Sequence, residues 1–170
     1  MDATTYEERR QRFAREMSEV CGCDVVPVGR PELAAHEMDI IITATSSREA
    51  VLHGSWIAEG THMNVVGSNF LAKSEIDVET IRRAEILVVD SKDQARLEAG
   101  DFVAAMEEGV IHWSDIYELG QVIVGRYPGR SHPQDITLFK SLGIALEDVA
   151  VAGQVFAKAQ EQGVGRWIEW

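Results

Sequence analysis

The 170 residues include 28 acidic and 16 basic side chains, a net charge of -12, with 45% hydrophobic and 26% charged residues. That is chain enough for one domain with a sizeable core, and its acidity argues against a nucleic-acid partner, because phosphate binding requires a basic patch. No apolar run reaches the ~20 residues of a membrane helix, and no apolar signal segment opens the chain, so a cytoplasmic protein without a membrane partner is expected.

Phe13, Met17 and Val20 recur at helical spacing within "YEERRQRFAREMSEVCG", and Gly22 is its stop. Cys21 and Cys23 lie one residue apart, too close for a relaxed disulfide and too few for zinc, so both are read as reduced thiols. "DVVPV" (24–28) is β-branched and predicts a strand despite Pro27. "PELAAHE" (31–37) opens with proline and predicts a short helix. "DIIITAT" (39–45) is a continuous β-branched run, the pattern of a strand buried on both faces. An irregular, glycine-punctuated connection with one helical turn follows, then "HMNVVG" (62–67) as a second buried strand. "DVETIRRAE" (77–85) predicts a helix capped by Asp77, and "ILVVD" (86–90) a third buried strand. "SKDQARLEAGDFVAAMEEG" predicts two short helices hinged at Gly100, with Ser91 and Asp101 as caps. "SDIYELGQVIVG" reads as a helical turn followed by a strand-like piece. "GRYPGRSHPQD" (125–135) reads as a loop and "ITLFKSLG" as extended. "ALEDVAVAGQVFAKAQEQG" (145–163) is a long amphipathic helix ending at Gly163. Strands and helices alternating at this spacing define an α/β fold with a parallel sheet.

Three of these strands end in small or polar residues: Thr43-Ala44-Thr45, Gly67-Ser68-Asn69 and Asp90-Ser91. Ligands of open parallel sheets sit just beyond the carboxyl ends of the strands. Small residues there let a flat or phosphorylated ligand approach backbone amides, and hydroxyls orient it. Lys73, a few residues on, would meet a phosphate or a carboxylate as a point charge. The competing reading is plainer: each ending is a strand terminus or a turn.

"DIIITATSSREAVLHGSWIAEGTHMNVVGSN", "ILVVDSKDQARLEAGD", "ELGQVIVGRYPGR" and "DITLFKSLGIALEDVA" resemble the ornithine cyclodeaminase/µ-crystallin family, which includes archaeal-type alanine dehydrogenases and cyclic-imine reductases. The likeness runs in order from about Glu8 to about Gly163. It implies a Rossmann-type domain binding NAD or NADP over residues 1–143. Residues 144–170 would then be a C-terminal helix packing toward the substrate domain. It also implies that Met1 falls near the end of the second Rossmann strand, so that the first two strands and the GxGxxG turn are absent. Gly22 and Gly29, the glycines before residue 54, fit no such fingerprint. On this reading the chain is an N-terminally truncated portion. The family is homodimeric, and its dimerising domain would be missing. "DIIITAT" would be an exposed apolar edge.

The same resemblance places Thr43 and Thr45 against the adenosine and ribose side of the cofactor. Val66, Gly67 and Ser68 would pass the nicotinamide, Lys73 would lie near the cofactor, and Lys140 and Ser141 would close over the nicotinamide end. Asn69 stands where ornithine cyclodeaminases carry a catalytic aspartate. An amide neither accepts a proton as a base nor holds an ammonium as a carboxylate does. Hydride transfer needs mainly cofactor and substrate face to face. The resemblance therefore implies an oxidoreductase acting on a small amino or imino acid, with cyclic-imine reduction favoured over ornithine cyclisation. The alternative is a non-catalytic ligand-binding or assembly remnant.

Other residues carry less. His36, His53, His62, His112 and His132 show no metal-ligand spacing. Asp135 in "SHPQD" is read as part of a surface loop, and the tryptophans as packing residues. No G-x-S-x-G elbow surrounds Ser46 and Ser47.

Overall fold

A computed structural model describes residues 3–168 of the chain. Five strands form one sheet, β1 (Ile40–Thr43), β2 (His62–Val65), β3 (Ile86–Val89), β4 (Ile116–Glu118) and β5 (Thr137–Lys140). All pairings are parallel, in the order β1-β2-β5-β3-β4. β5, last in sequence, inserts between β2 and β3, so β3 does not directly follow β2 as the plain 3-2-1-4-5-6 succession would have it.

The register sorts side chains into rows. Ile41, Met63, Leu138, Leu87 and Ile116 align across all five strands, and every one is buried. This face meets α3 (Val78–Arg83), α4 (Lys92–Glu98) and α5 (Gly100–Glu107) through Ile81, Ala95, Phe102 and Ala105. Burying side chains of this size stabilises by roughly 1.5–3 kcal/mol each. The opposite face is half open. Ile40 and Ile42 are 62% and 65% exposed. A groove of about 490 Å³ runs over His62, Asn64, Val88 and Phe139, rimmed by Leu119 and Arg130. The 39–45 run is therefore buried on one face only, correcting the expectation that it is covered on both; β1 is an apolar sheet edge among the described residues.

Caps behave largely as the sequence predicts. Asp77 accepts the Thr80 amide at 2.8 Å at the start of α3, and Ser91 accepts that of Gln94 at 3.4 Å at the start of α4. Asp77 also accepts the Gly54 amide at 3.0 Å and lies 2.9 Å from the His53 ring, tying the one-turn helix Gly54–Trp56 to α3. Replacing Asp77 by alanine strands these donors together, and a loss of about 1–2 kcal/mol is expected in urea unfolding.

Three readings need correction. Residues 24–28 form no strand; they have no neighbouring strand to pair with, Pro27 offers no donor, and Val26 lies open. The segment after residue 114 runs in the reverse order to that expected: β4 comes first and α6 (Leu119–Ile123) second, because Ile116 completes the buried row. Asp101 does not cap α5, whose N-cap is Ala99 without a side-chain bond; its carboxylate turns into the core instead.

The terminal helices are lightly attached. α1 (Ala3–Cys21) stops at Gly22, whose φ of 64° lies in the left-handed region that favours glycine, and buries Ala14. Cys21 and Cys23 are free and exposed. α2 (Pro31–Ala35) starts on its proline, as expected. α7 (Ala145–Gln162) buries no residue and ends at Gly163 with φ 63°.

Candidate functional site

The row above the buried one reads Thr43, Val65, Lys140, Val89 and Glu118, the carboxyl tips of all five strands. Thr43, Val65, Lys140 and Val89 are buried. A lysine in such a row demands a partner, because an isolated buried charge is prohibitively costly. Its ammonium lies 3.0 Å from Asp101 Oδ2, with both side chains fully enclosed. The contact is off the hydrogen-bonding direction, and among the described residues no other donor serves that oxygen. Lys140 also donates to the Ser68 carbonyl and, at 3.4 Å, to that of Val65.

Asp101 Oδ1 accepts the Glu75 amide at 2.6 Å and the Ser74 hydroxyl at 3.1 Å. Glu75, itself fully buried, turns its carboxylate toward two strand ends at once. Oε2 accepts the Thr43 hydroxyl at 2.9 Å and the Gly67 amide at 2.8 Å, while Oε1 accepts the Thr45 amide at 2.5 Å. A closed ring results. It runs from the tip of β1 through Glu75 to Asp101 on α5, on to Lys140 at the tip of β5, and back through Ser68 and Gly67 beyond β2. Gly67 is obligatory in it: a Cβ there would stand 2.3 Å from both the nitrogen and the carbonyl oxygen of Thr45.

Burial pushes the Glu75 carboxyl upward, but the donors of Thr45, Gly67 and Thr43 outweigh it and hold it below its ordinary 4.5. Asp77 is likewise held below its ordinary 3.8: the Thr80, Gly54 and His53 donors overcome the burial that opposes them. Carboxyls so held are harder to protonate folded than unfolded. Their contribution is complete above the ordinary values and is lost as pH falls through the folded ones. Unfolding midpoints in urea should decline as pH drops below about 4.5, and Glu75→Gln should flatten that decline.

The residues singled out from the sequence divide by role. Thr43, Thr45, Gly67, Ser68 and Lys140 meet in the ring. Lys73 joins through its backbone, its carbonyl accepting the Ser68 hydroxyl at 3.0 Å. Val66, open to solvent, donates its amide to the Thr43 carbonyl at 2.9 Å. Ser141 lies beside the ring, its amide on the Val65 carbonyl at 3.0 Å and its hydroxyl 3.4 Å from Asp90. Asn69 is exposed just past it. The outer surface of this edge is accordingly made of Ala44, Thr45, Ser46, Val66 and Asn69, small or polar and open to solvent. Lys140 spends its charge inside the protein, on Asp101.

Sequence reasoning missed three acids. Glu75 looks like part of an acidic helix start, and Asp101 looks like a cap. Asp90 is visible as a strand end but not as a clamp; its Oδ2 accepts the amides of Leu142 and Gly143 at 2.7 and 2.8 Å, fixing the turn after β5. Among the described residues no group of three His, Cys, Asp or Glu gathers to hold a metal, and no helix is long and apolar enough to cross a membrane.

A parallel α/β sheet whose carboxyl tips carry small polar residues on locked turns has the form of a Rossmann-type nucleotide-binding domain. The chain belongs to the ornithine cyclodeaminase/mu-crystallin family, whose sequence model matches residues 3–163. It is 39% identical over 142 residues to an alanine dehydrogenase of Archaeoglobus fulgidus, covering 83% of this chain and 44% of that one. It is 37% identical over 165 residues to a Delta(1)-pyrroline-2-carboxylate reductase of Bacillus cereus, covering 96% and 50%. The solved Delta(1)-pyrroline-2-carboxylate reductase of Thermococcus litoralis, in complex with NADH and L-proline, superimposes with a TM-score of 0.86 at 42% identity, covering 93% of this chain and 49% of that one. The chain spans about half the length of the relatives it matches.

Proposed function

We propose that residues 1–170 are the cofactor-binding portion of an NAD(P)-dependent oxidoreductase that moves a hydride to or from a small amino or imino acid. The observation that carries this reading is the ring. It spends three buried charges on holding the turns after β1 and β2 against each other, far more than a surface turn requires. The ligand's place is the outer surface of those turns, where Thr45, Ser46, Val66 and Asn69 are open. The relative of known structure with NADH and L-proline bound supports the cofactor class and a cyclic amino or imino acid.

In this reading the nicotinamide supplies the hydride chemistry, and the chain's own residues supply position. The Val66-Gly67-Ser68 segment borders that surface, with Val66 open to it and Gly67, free of a side chain, letting the backbone close on Thr45. The Asp90-clamped turn with Ser141 borders it. Asn69 contributes an amide, which orients a polar group but does not act as a base. Cyclic-imine reduction therefore fits this chain better than cyclodeamination of ornithine.

NADH fluorescence titration of residues 1–170, followed by addition of pyrroline-2-carboxylate or piperideine-2-carboxylate with absorbance monitoring, tests the reading. Saturable NADH quenching is expected. Absence of binding at millimolar NADH would remove the dinucleotide assignment, and binding without turnover would confine this chain to holding the cofactor.

A further inference from the structure

We infer that Glu75 is a positioning residue for the dinucleotide edge: its buried carboxylate fixes the turn after β1 to the turn after β2 and so sets the surface on which the cofactor rests. This rests on the function proposed above and goes beyond it in naming what holds that surface in shape.

The geometry allows few other roles. Glu75 has no exposure to solvent, so it touches neither cofactor nor substrate. Its two oxygens are divided between strands. Oε1 serves the Thr45 amide alone; Oε2 serves the Gly67 amide and the Thr43 hydroxyl. Two of the three donors are backbone N–H groups in consecutive strand-end turns that make only one other cross-link near this point, from the Val66 amide to the Thr43 carbonyl. The backbone of Glu75 is fixed from behind, since its amide sits on Asp101, whose other oxygen faces Lys140. The carboxylate is held by its own three donors, Thr45, Gly67 and Thr43. The turns on either side cannot separate without costing the Thr45 or the Gly67 amide its acceptor.

Chemistry makes the carboxylate specific. Only an ionised carboxyl offers acceptors in both directions. Glutamine has nearly the same shape, but its NH2 must face either the Thr45 amide or the Gly67 amide, donor against donor. Thr43 is more tolerant, because its hydroxyl rotates.

The test uses the 170-residue chain with NADH as probe, comparing wild type with Glu75→Gln. Two readouts are taken beside the urea midpoint: NADH affinity, and hydrogen exchange at the Thr45 and Gly67 amides. Affinity about tenfold weaker, with exchange at those two amides at least about tenfold faster and the amides of β3 and β4 unchanged, is the expected result. A simple loss of global stability would instead speed exchange throughout the sheet. A folded Glu75→Gln chain that binds NADH as wild type does would overturn the inference. Should Glu75→Gln not fold, Thr43→Val decides, since it removes one donor at constant shape: about threefold weaker binding is expected, and unchanged affinity and exchange would sink the claim. Should wild type itself fail to bind NADH, the functional reading falls on its own. Exchange at Thr45 and Gly67 then decides the positioning role, and equal rates in wild type and Glu75→Gln would end it.

Discussion

Replacing Lys140 by methionine should destabilise the chain by roughly 3–5 kcal/mol, the cost of removing one partner from a buried ion pair. The methionine fills most of the lysine's volume, so the loss is electrostatic rather than a cavity effect. Asp101 Oδ2 would be left facing no donor, and the Ser68 and Val65 carbonyls would lose theirs. The companion change distinguishes this from general core damage. In the Lys140→Met/Asp101→Asn double variant the stranded carboxylate oxygen is gone, while Oδ1 still accepts from Glu75 and Ser74. It should recover about 1–2 kcal/mol, a non-additivity that urea midpoints for the four proteins of the cycle would reveal. Strict additivity would mean that the pair does not interact as the geometry requires.

Gly67→Ala is expected to cost roughly 2–3 kcal/mol and to weaken NADH binding by more than about tenfold. The reason is steric. The new methyl would lie 2.3 Å from two backbone atoms of Thr45 and 2.4 Å from Glu75 Oε1, and backbone cannot give way as a flexible side chain does. The turns after β1 and β2 must part, and the Glu75 bridge parts with them. Gly109, just past α5 and away from the strand tips, supplies the contrast: a Cβ there meets nothing within 4 Å, although its φ of 69° still favours glycine. Gly109→Ala should therefore lose only about 1 kcal/mol through backbone strain and leave NADH affinity nearly unchanged. Calorimetry with NADH titration on both variants separates crowding from strain.

What the sequence made legible was local. β-branched runs at 39–45, 62–67 and 86–90 each yielded a strand, and Asp77 and Ser91 capped the helices they precede, because these signals involve residues a few positions apart. What it hid was set by pairing at long range. "DVVPV" has strand composition but no partner, and composition cannot report a missing neighbour. The insertion of β5 between β2 and β3 joins residues 75 apart in the chain on one side and 51 apart on the other. Thr43, Gly67 and Ser68 were visible as candidates because small residues at a strand end are themselves a signal. Glu75 and Asp101 were not, since nothing local distinguishes a surface acid from one that a distant lysine or two distant amides draw inward. The resemblance to a family carried the cofactor class. It did not carry the role of Lys140, which the structure commits to Asp101.

The -12 net charge bears on affinity. An acidic chain repels a dinucleotide carrying two phosphates, so the proposed binding would rest on short-range contacts and should tolerate salt well. The strand tips are where a ligand's footprint is most decisive. The most direct measurement is the amide NMR spectrum of the 170-residue chain with and without NADH. Shifts concentrated in residues 43–47, 66–69 and 140–143 are predicted. An unaltered spectrum at millimolar NADH, or shifts gathered on α1 or α7 instead, would contradict the account.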